Sequence, residues 1–295
     1  MLDVIIVLYN PSESLLISNL NKIINCSVVD NIFYVDNSEL NSSLFRDFDL
    51  KVKYIPLNGN YGIAKAQNVG LEMSLSNTNS NAVVMFDQDS ILDSSLLESL
   101  YRDYCNLSEL VGCNLAAMGP NIIDSFSDKE ESVVFSRFKK EESYPGYELK
   151  REIIASGKVI NKSALLEVGY MEEELFIDGV DHEWCWRANS KGYKVYISKT
   201  SSMVHTVGDS RKKIGPVTLR VSSPIRMYYQ FRNYFNLASR NYVPFYWKFR
   251  NLIGYCMKFV VFGFLVNDSK ERMGYILKGI KHGLDKKVGK YNDFL

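Results

Sequence analysis

With 295 residues, 46% of them apolar and 23% charged, the chain has the composition to bury a large core, which argues against wholesale disorder. Its formal charge of +1 hides two unlike parts. Residues 1–210 hold 18 Lys+Arg against 30 Asp+Glu, a net of −12, whereas residues 211–295 hold 17 against 4, a net of +13. Five scattered cysteines with no C-x-x-C pair argue against a disulfide framework or a thiolate zinc site and suit free thiols in a reducing compartment.

Residues 4–8 are an unbroken apolar run with no basic stretch before it, which reads as a buried strand rather than a secretory leader and places the chain in the cytoplasm. Apolar positions at Leu15, Leu16, Leu20, Ile23 and Ile24 predict a helix over 12–24, with Ser12 as its N-cap. Strands are expected at 31–36, 52–56 and 82–86, and helices at 62–76 and 94–104. Apolar strands alternating with helices predict an α/β fold whose parallel sheet is covered on both faces. Ligands in such sheets bind beyond the carboxyl ends of the strands, where residues 7–10, 36–38 and 87–90 fall. Residues 125–151 are polar and irregular and read as a loop. A strand at 156–160, a helix at 162–168, a helix across 178–192 and a strand at 193–197 complete a first unit expected to span 1–210.

The second unit, 211–295, is expected to be a helical, basic and aromatic extension. Its apolar run at 252–266 is broken by Lys258 and falls short of the ~20 residues that a membrane-spanning helix needs. It reads instead as an amphipathic helix at an anionic membrane surface. Arg226, Arg232, Arg240, Lys248, Arg250, Arg272, Lys278 and Lys281 would then meet lipid phosphates. Tyr242, Phe245, Tyr246 and Trp247 suit either lipid or an interface between two copies, so an oligomer stays open. The plainer alternative is a bundle packed on the first unit with its basic face solvated.

Three clusters carry chemistry. Asp87 and Asp89 follow the strand at 82–86 with one residue between them, a spacing that lets both face one divalent cation such as Mn²⁺ or Mg²⁺. Asp36 ends an earlier strand, where a carboxylate suits the imide N–H of a pyrimidine, and the Gly-containing stretch 58–68 runs into a helix whose N-terminus suits an anion. In the stretch 176–187, Glu183 and Arg187 are spaced for an ion pair, which leaves Asp181 for proton transfer. His182 is read as structural, pointing away from Asp181. His205 is either a hydrogen-bonded core residue or a third metal ligand.

In this order the motifs resemble family 2 glycosyltransferases of the GT-A fold, over about residues 3–210. The resemblance implies a mostly parallel mixed sheet flanked by helices, and an inverting transferase with a nucleotide-sugar donor. By position it implies donor contacts from Tyr9, Asn10, Asp36, Asn60, Gly62, Ala66, Asp87 and Gln88. It places a cation at Asp87, Asp89 and His205, and a base at Asp181. Within the family, Phe-Asp-Gln-Asp-Ser at 86–90 and Tyr-Tyr-Gln-Phe-Arg-Asn at 228–233 are most similar to bacterial rhamnosyltransferases. Those use dTDP-L-rhamnose to extend O-antigen or capsule chains on a polyprenyl-diphosphate carrier at the inner face of the plasma membrane. Related motifs also serve UDP-sugars, galactofuranose among them.

Other classes fit less well. A dinucleotide-binding dehydrogenase lacks its G-x-G-x-x-G, since Tyr9-Asn10-Pro11-Ser12 follows the first strand. A nucleotidyltransferase would leave the Asp181 segment without a use. A nucleic-acid-binding module is disfavoured by the acidic first 210 residues, which repel a polyanion.

Overall fold

A computed structural model describes residues 1–40, 50–124, 143–205, 210–214, 217–266 and 268–294. At its centre is an eight-stranded sheet, in which β1 (Leu2–Leu8) lies between β2 (Val29–Asp36) and β4 (Ala82–Asp87), and β3 (Val52–Pro56) forms the edge beside β2. These four strands run parallel. Beyond β4 the order continues β7 (Lys158–Asn161), β5 (Leu115–Asp124), β8 (Lys194–His205) and β6 (Tyr147–Lys150). Strand β7 is antiparallel to both its neighbours, and β6 to β8. The sheet is therefore mixed, with a parallel half that opens the chain.

Both faces are covered, which explains why residues 4–8 of β1, 32–35 of β2 and 82–86 of β4 are apolar at every position. Along β1, Val4, Ile6 and Leu8 enter one cluster with α1 (Glu13–Ile23) and α3 (Ser94–Val111). Ile5 and Val7 enter the other, with α2 (Ile63–Leu75), α4 (Lys162–Val168) and α5 (Val180–Ser190). Period-two alternation between two buried layers leaves no position for a polar side chain without a partner. Asp3 is the exception with partners: Lys162 Nζ donates to it at 2.9 Å, and the Ser74 and Ser80 hydroxyls each at 2.6 Å.

Several expectations need correction. The helix expected at 94–104 runs on to Val111, and β5 went unrecognised because Gly119 and Pro120 interrupt its pattern. Strand β6 falls inside the stretch read as a loop; its Lys150 is buried against Glu148, which disguises a strand as a polar run. The remainder of that stretch, 125–142, lies outside the described residues.

The second unit opens not on a helix but on a hairpin of β9 (Ser210–Ile214) and β10 (Val217–Val221). Helices α6 (Pro224–Ala238), α7 (Phe245–Phe264) and α8 (Ser269–Leu284) follow. Helix α8 lies tight on α6 because Gly279 and Gly283 face it: a Cβ at Gly279 would lie 2.6 Å from the Tyr228 carbonyl oxygen. Tyr234, Leu237, Val243 and Trp247 belong to the same apolar cluster as β1 and α5. Four of the expected lipid-facing cations turn inward. Arg226 pairs with Asp178, Arg240 with Glu172 and Glu183, and Arg272 with Asp268, while Arg232 is fully buried. Tyr242 and Tyr246 likewise donate to Glu183 and Glu152 and face the first unit. No described helix is long and apolar enough to cross a membrane.

Candidate active site

The carboxyl ends of β1, β2 and β4 meet in one cleft, held by short polar contacts. Tyr9 N–H donates to Gln88 Oε1 at 2.7 Å, and Gln88 Nε2 returns a bond to Tyr9 O at 3.1 Å. Asn10, at a positive φ of 47°, donates its N–H to Ser38 Oγ. Asn37 Nδ2 donates to Asn60 Oδ1, while Asn37 Oδ1 accepts from Tyr61 N–H at 2.8 Å. Gly62 N–H completes this chain on Asn60 Oδ1. Gly62 has φ 89°, and a Cβ there would lie 2.6 Å from the Phe176 carbonyl oxygen, so glycine is required on both counts. That carbonyl accepts the first N–H of α2, from Ile63. Part of the helix N-terminus expected to meet an anion is thereby capped from within.

The carboxylate pair stands at the end of β4. Asp87 is half-buried, Asp89 is exposed, and Ser90 and Ser156 share a 2.7 Å bond beneath them. Two carboxylates one residue apart, one of them exposed, fit a hard divalent cation that keeps substrate oxygens among its ligands. Among the described residues, no three His, Cys, Asp or Glu side chains gather as a complete set. His205 ends β8, but its side chain lies outside the described residues.

Two expected donor contacts sit otherwise. Asp36 is wholly buried; its oxygens accept from Ser38 N–H at 2.9 Å and from the Tyr54 hydroxyl at 2.6 Å. Ala66 is buried in the apolar cluster, with its N–H on the Gly62 carbonyl. Missed by sequence reading is Gln67, 3% exposed, whose Oε1 has no hydrogen-bond partner among the described residues. Gln67 stands on α2, the helix whose Ser74 meets Asp3 and whose Gly70 meets Ile5 of β1.

Asp181 lies in the first turn of α5. Lys158, fully buried in β7, donates to its carbonyl oxygen at 3.0 Å, and the carboxylate accepts from the His182 N–H at 2.9 Å. Contrary to expectation, the His182 ring does not turn away: its Nε2 is 4.0 Å from Asp181 Oδ2. Burial pushes the Asp181 carboxyl up, but the His182 and Lys158 charges and the backbone bond outweigh it and hold it below the ordinary carboxylate range. The group is thus ionised at neutral pH and a quarter exposed, as a proton acceptor must be. Glu183 pairs with Arg187 at 2.9 Å and is fully buried, as the i,i+4 spacing predicted.

Ahead of α5 the chain bends twice at non-glycine residues, Phe176 and Asp178, both with φ 65°. Two neighbouring side chains of α6 hold this bend. Asn233 Nδ2 donates to the carbonyls of Leu175, Ile177 and Asp178, and Arg232 donates to those of Glu174 and Leu175. Arg226 grips Asp178 through Nε and Nη2. The 228–233 motif therefore shapes the approach to Asp181.

Residues 3–169 match the model of glycosyl transferase family 2. The chain belongs to that family and is a glycosyltransferase. It is 33% identical over 302 residues to the dTDP-rhamnosyl transferase RfbF of Shigella flexneri, a match that covers 95% of this chain and 93% of that protein. To the low-salt glycan biosynthesis hexosyltransferase Agl10 of Haloferax volcanii it is 25% identical over 308 residues, covering 98% and 92%. The solved GalNAc-T7 with UDP, GalNAc and Mn²⁺ aligns at a TM-score of 0.58 and 14% identity, over 97% of this chain and 56% of that one. S. aureus TarS 1–349 in complex with UDP-GlcNAc aligns at 0.55 and 15% identity, over 96% and 81%. These two likenesses establish the fold.

Proposed function

We propose that the chain transfers L-rhamnose from dTDP-L-rhamnose to a hydroxyl of a lipid-linked oligosaccharide, inverting the anomeric carbon. The observation that carries the donor assignment is the near full-length match to a dTDP-rhamnosyl transferase. The cleft supports it chemically. Tyr9, Asn10, Asn60, Gly62 and Gln88 lie on the loops that frame the nucleotide. Asp36 braces the loop after β2 through Ser38 and Tyr54, and Ala66 and Gln67 are buried on α2. Asp87, Asp89 and His205 would hold a divalent cation, Mn²⁺ or Mg²⁺, which when bound neutralises the charge on the departing diphosphate.

Asp181 takes the proton of the acceptor hydroxyl as the new C–O bond forms and the bond to the diphosphate oxygen breaks. It is ionised at neutral pH and so free to take that proton, and Lys158, Arg232 and Asn233 fix the turn it stands on. Residues 1–210 form the transferase unit in this reading, and 211–295 the extension that meets the membrane. Along α7, Phe245, Phe249, Ile253, Met257, Val260 and Phe264 are all 48–79% exposed and fall at intervals of three and four, one continuous apolar stripe. Arg250 is exposed on the same helix. Such a stripe fits peripheral attachment to the cytoplasmic face of an anionic bilayer, where a lipid carrier presents its glycan.

The deciding test is a calorimetric titration with dTDP, with and without Mn²⁺, and with UDP and GDP alongside. Mn²⁺-dependent binding of dTDP that disappears in Asp89→Ala supports the reading. A preference for UDP keeps the class and removes rhamnose; no binding of any nucleotide by folded protein overturns both.

A further inference from the structure

The sheet order gives the cleft a direction. The cation end lies at β4, and two and three strand spacings away, roughly 10 and 14 Å, the loops after β2 and β3 form the other end. A cavity of about 670 Å³ opens there. Its lining includes Glu39, Asn60 and Tyr61 from those two loops and Lys290 and Asp293 near the C-terminus. We propose that the C-terminal segment 289–293 is the outer wall of the nucleoside end of the donor site, so that the last turn of the chain helps to select the base. This rests on the transferase reading above.

Three observations support the assignment. First, the segment is locked in place. Gly289 N–H donates to the Glu174 carbonyl at 2.7 Å, and its own carbonyl accepts from Arg232. Tyr291 N–H donates to the Tyr229 hydroxyl at 2.9 Å, and the Tyr291 hydroxyl accepts from Lys278 at 2.7 Å. The Tyr291 ring is buried, clustered with Phe176, Tyr228 and Tyr229. The buried Arg232 guanidinium is satisfied by the Gly289, Glu174 and Leu175 carbonyls and by Asn233 Oδ1, and so ties this wall to the bend before α5.

Second, the wall is continuous with the donor loop. Phe176 stacks on Tyr229 at 4.8 Å, lines the cavity, and accepts the first N–H of α2. Third, the lining suits a pyrimidine nucleoside. Tyr61, 56% exposed, offers a ring face for stacking, while Asn60, Glu39, Asp293 and the Lys290 ammonium offer donors and acceptors to a base that has an imide N–H and two carbonyls. In this assignment the base lies in the cavity and the diphosphate towards Asp89, at the β4 end of the same sheet edge.

The test compares the full chain, a chain ending at Val288, and the point variant Lys290→Ala/Asp293→Ala. Each is titrated by calorimetry with dTDP and, separately, with inorganic pyrophosphate plus Mn²⁺, and circular dichroism checks the fold. The expected result is dTDP binding about tenfold weaker without the segment, and a few-fold weaker in the point variant, with pyrophosphate binding unchanged. If the shortened chain is unfolded, the point variant decides. Unchanged dTDP affinity in the folded variants overturns the wall and leaves the transferase reading standing. Equal losses for dTDP and pyrophosphate overturn it too, because the segment would then act on the whole site. A full chain that binds no nucleotide overturns both.

Discussion

The two ends of the parallel half-sheet carry similar side chains to opposite ends. At the amino end, Asp3 accepts from Lys162, Ser74, Ser80, Asn31 and Asn77, and Lys162 also donates to the Ser74 and Asn77 carbonyls. At the carboxyl end, Asp89 is exposed, Gln67 Oε1 lacks a partner among the described residues, and Asp181 keeps a quarter of its surface open. A closed polar network fixes structure, whereas an open one is completed by something outside the chain. Disturbing the first should change stability alone, and disturbing the second should change chemistry or binding.

The largest expected effect is at the open end. Asp181→Asn should lower kcat by about 10²–10⁴-fold while leaving nucleotide affinity within about twofold, read from initial rates and calorimetry on the same protein. Because the Asp181 carboxyl is held below the ordinary carboxylate range, the acidic limb of kcat/KM should lie below the pH at which an ordinary carboxylate titrates. A limb near neutrality would assign the proton to another group.

At the closed end, Lys162→Met should cost about 3–5 kcal/mol in urea unfolding, with donor affinity unchanged in the folded fraction, because it leaves a buried carboxylate without its cation. The pH dependence has a defined sign. Burial raises the Asp3 pKa, but the bonds from Ser74, Ser80 and Lys162 outweigh it, so the folded value is depressed. The stability contributed by Asp3 is therefore complete above its unfolded value of about 3.9 and is lost as pH falls through the depressed native value. Wild type should lose this increment on acidification and Lys162→Met should lose less of it; parallel curves would show that the pair does not set the acid limb.

How far each end was readable from sequence follows from sequence separation. The ion pair of Glu183 and Arg187 was predictable because four residues on a helix are neighbours by geometry. The loops after β1, β2 and β4 were readable as a cleft because parallel strands bring their carboxyl ends together whatever the register. Asp3 and Lys162 stand 159 positions apart, and Arg232 reaches a carbonyl 57 positions away, so neither local period nor spacing marks them. Lys158 and Lys150 were hidden for a related reason: each is a buried lysine in a short strand, which the polarity pattern assigns to solvent. The basic tail misled in the same way, since Arg226, Arg232, Arg240 and Arg272 are charges by composition but internal fasteners by position.

A smaller effect separates the two kinds of polar group within one helix. Gln67→Leu removes a buried acceptor that has no partner among the described residues and should stabilise the free protein by about 1 kcal/mol, while weakening dTDP binding several-fold. Ser74→Ala, two turns along the same face, should instead destabilise by about 1 kcal/mol with unchanged binding, because its bond to Asp3 is made within the chain. If both substitutions move stability in the same direction, Gln67 is paired internally and the cleft is less open than its geometry implies.

The least effect on the fold is expected on α7, where the comparison extends to the surface. Phe249→Ser with Met257→Ser removes two exposed members of the apolar stripe, so unfolding should stay within about 0.5 kcal/mol of wild type. Sedimentation with vesicles of anionic lipid should nevertheless drop several-fold, and transfer to a soluble acceptor analogue should be unchanged. Arg272→Ala, a change of charge on a neighbouring helix, should do the reverse: its guanidinium bonds Asp268 and the Ser222 carbonyl, so stability falls and vesicle binding by the folded fraction persists. Vesicle binding that follows the buried arginine rather than the exposed stripe would mean that lipid meets a different face of the extension.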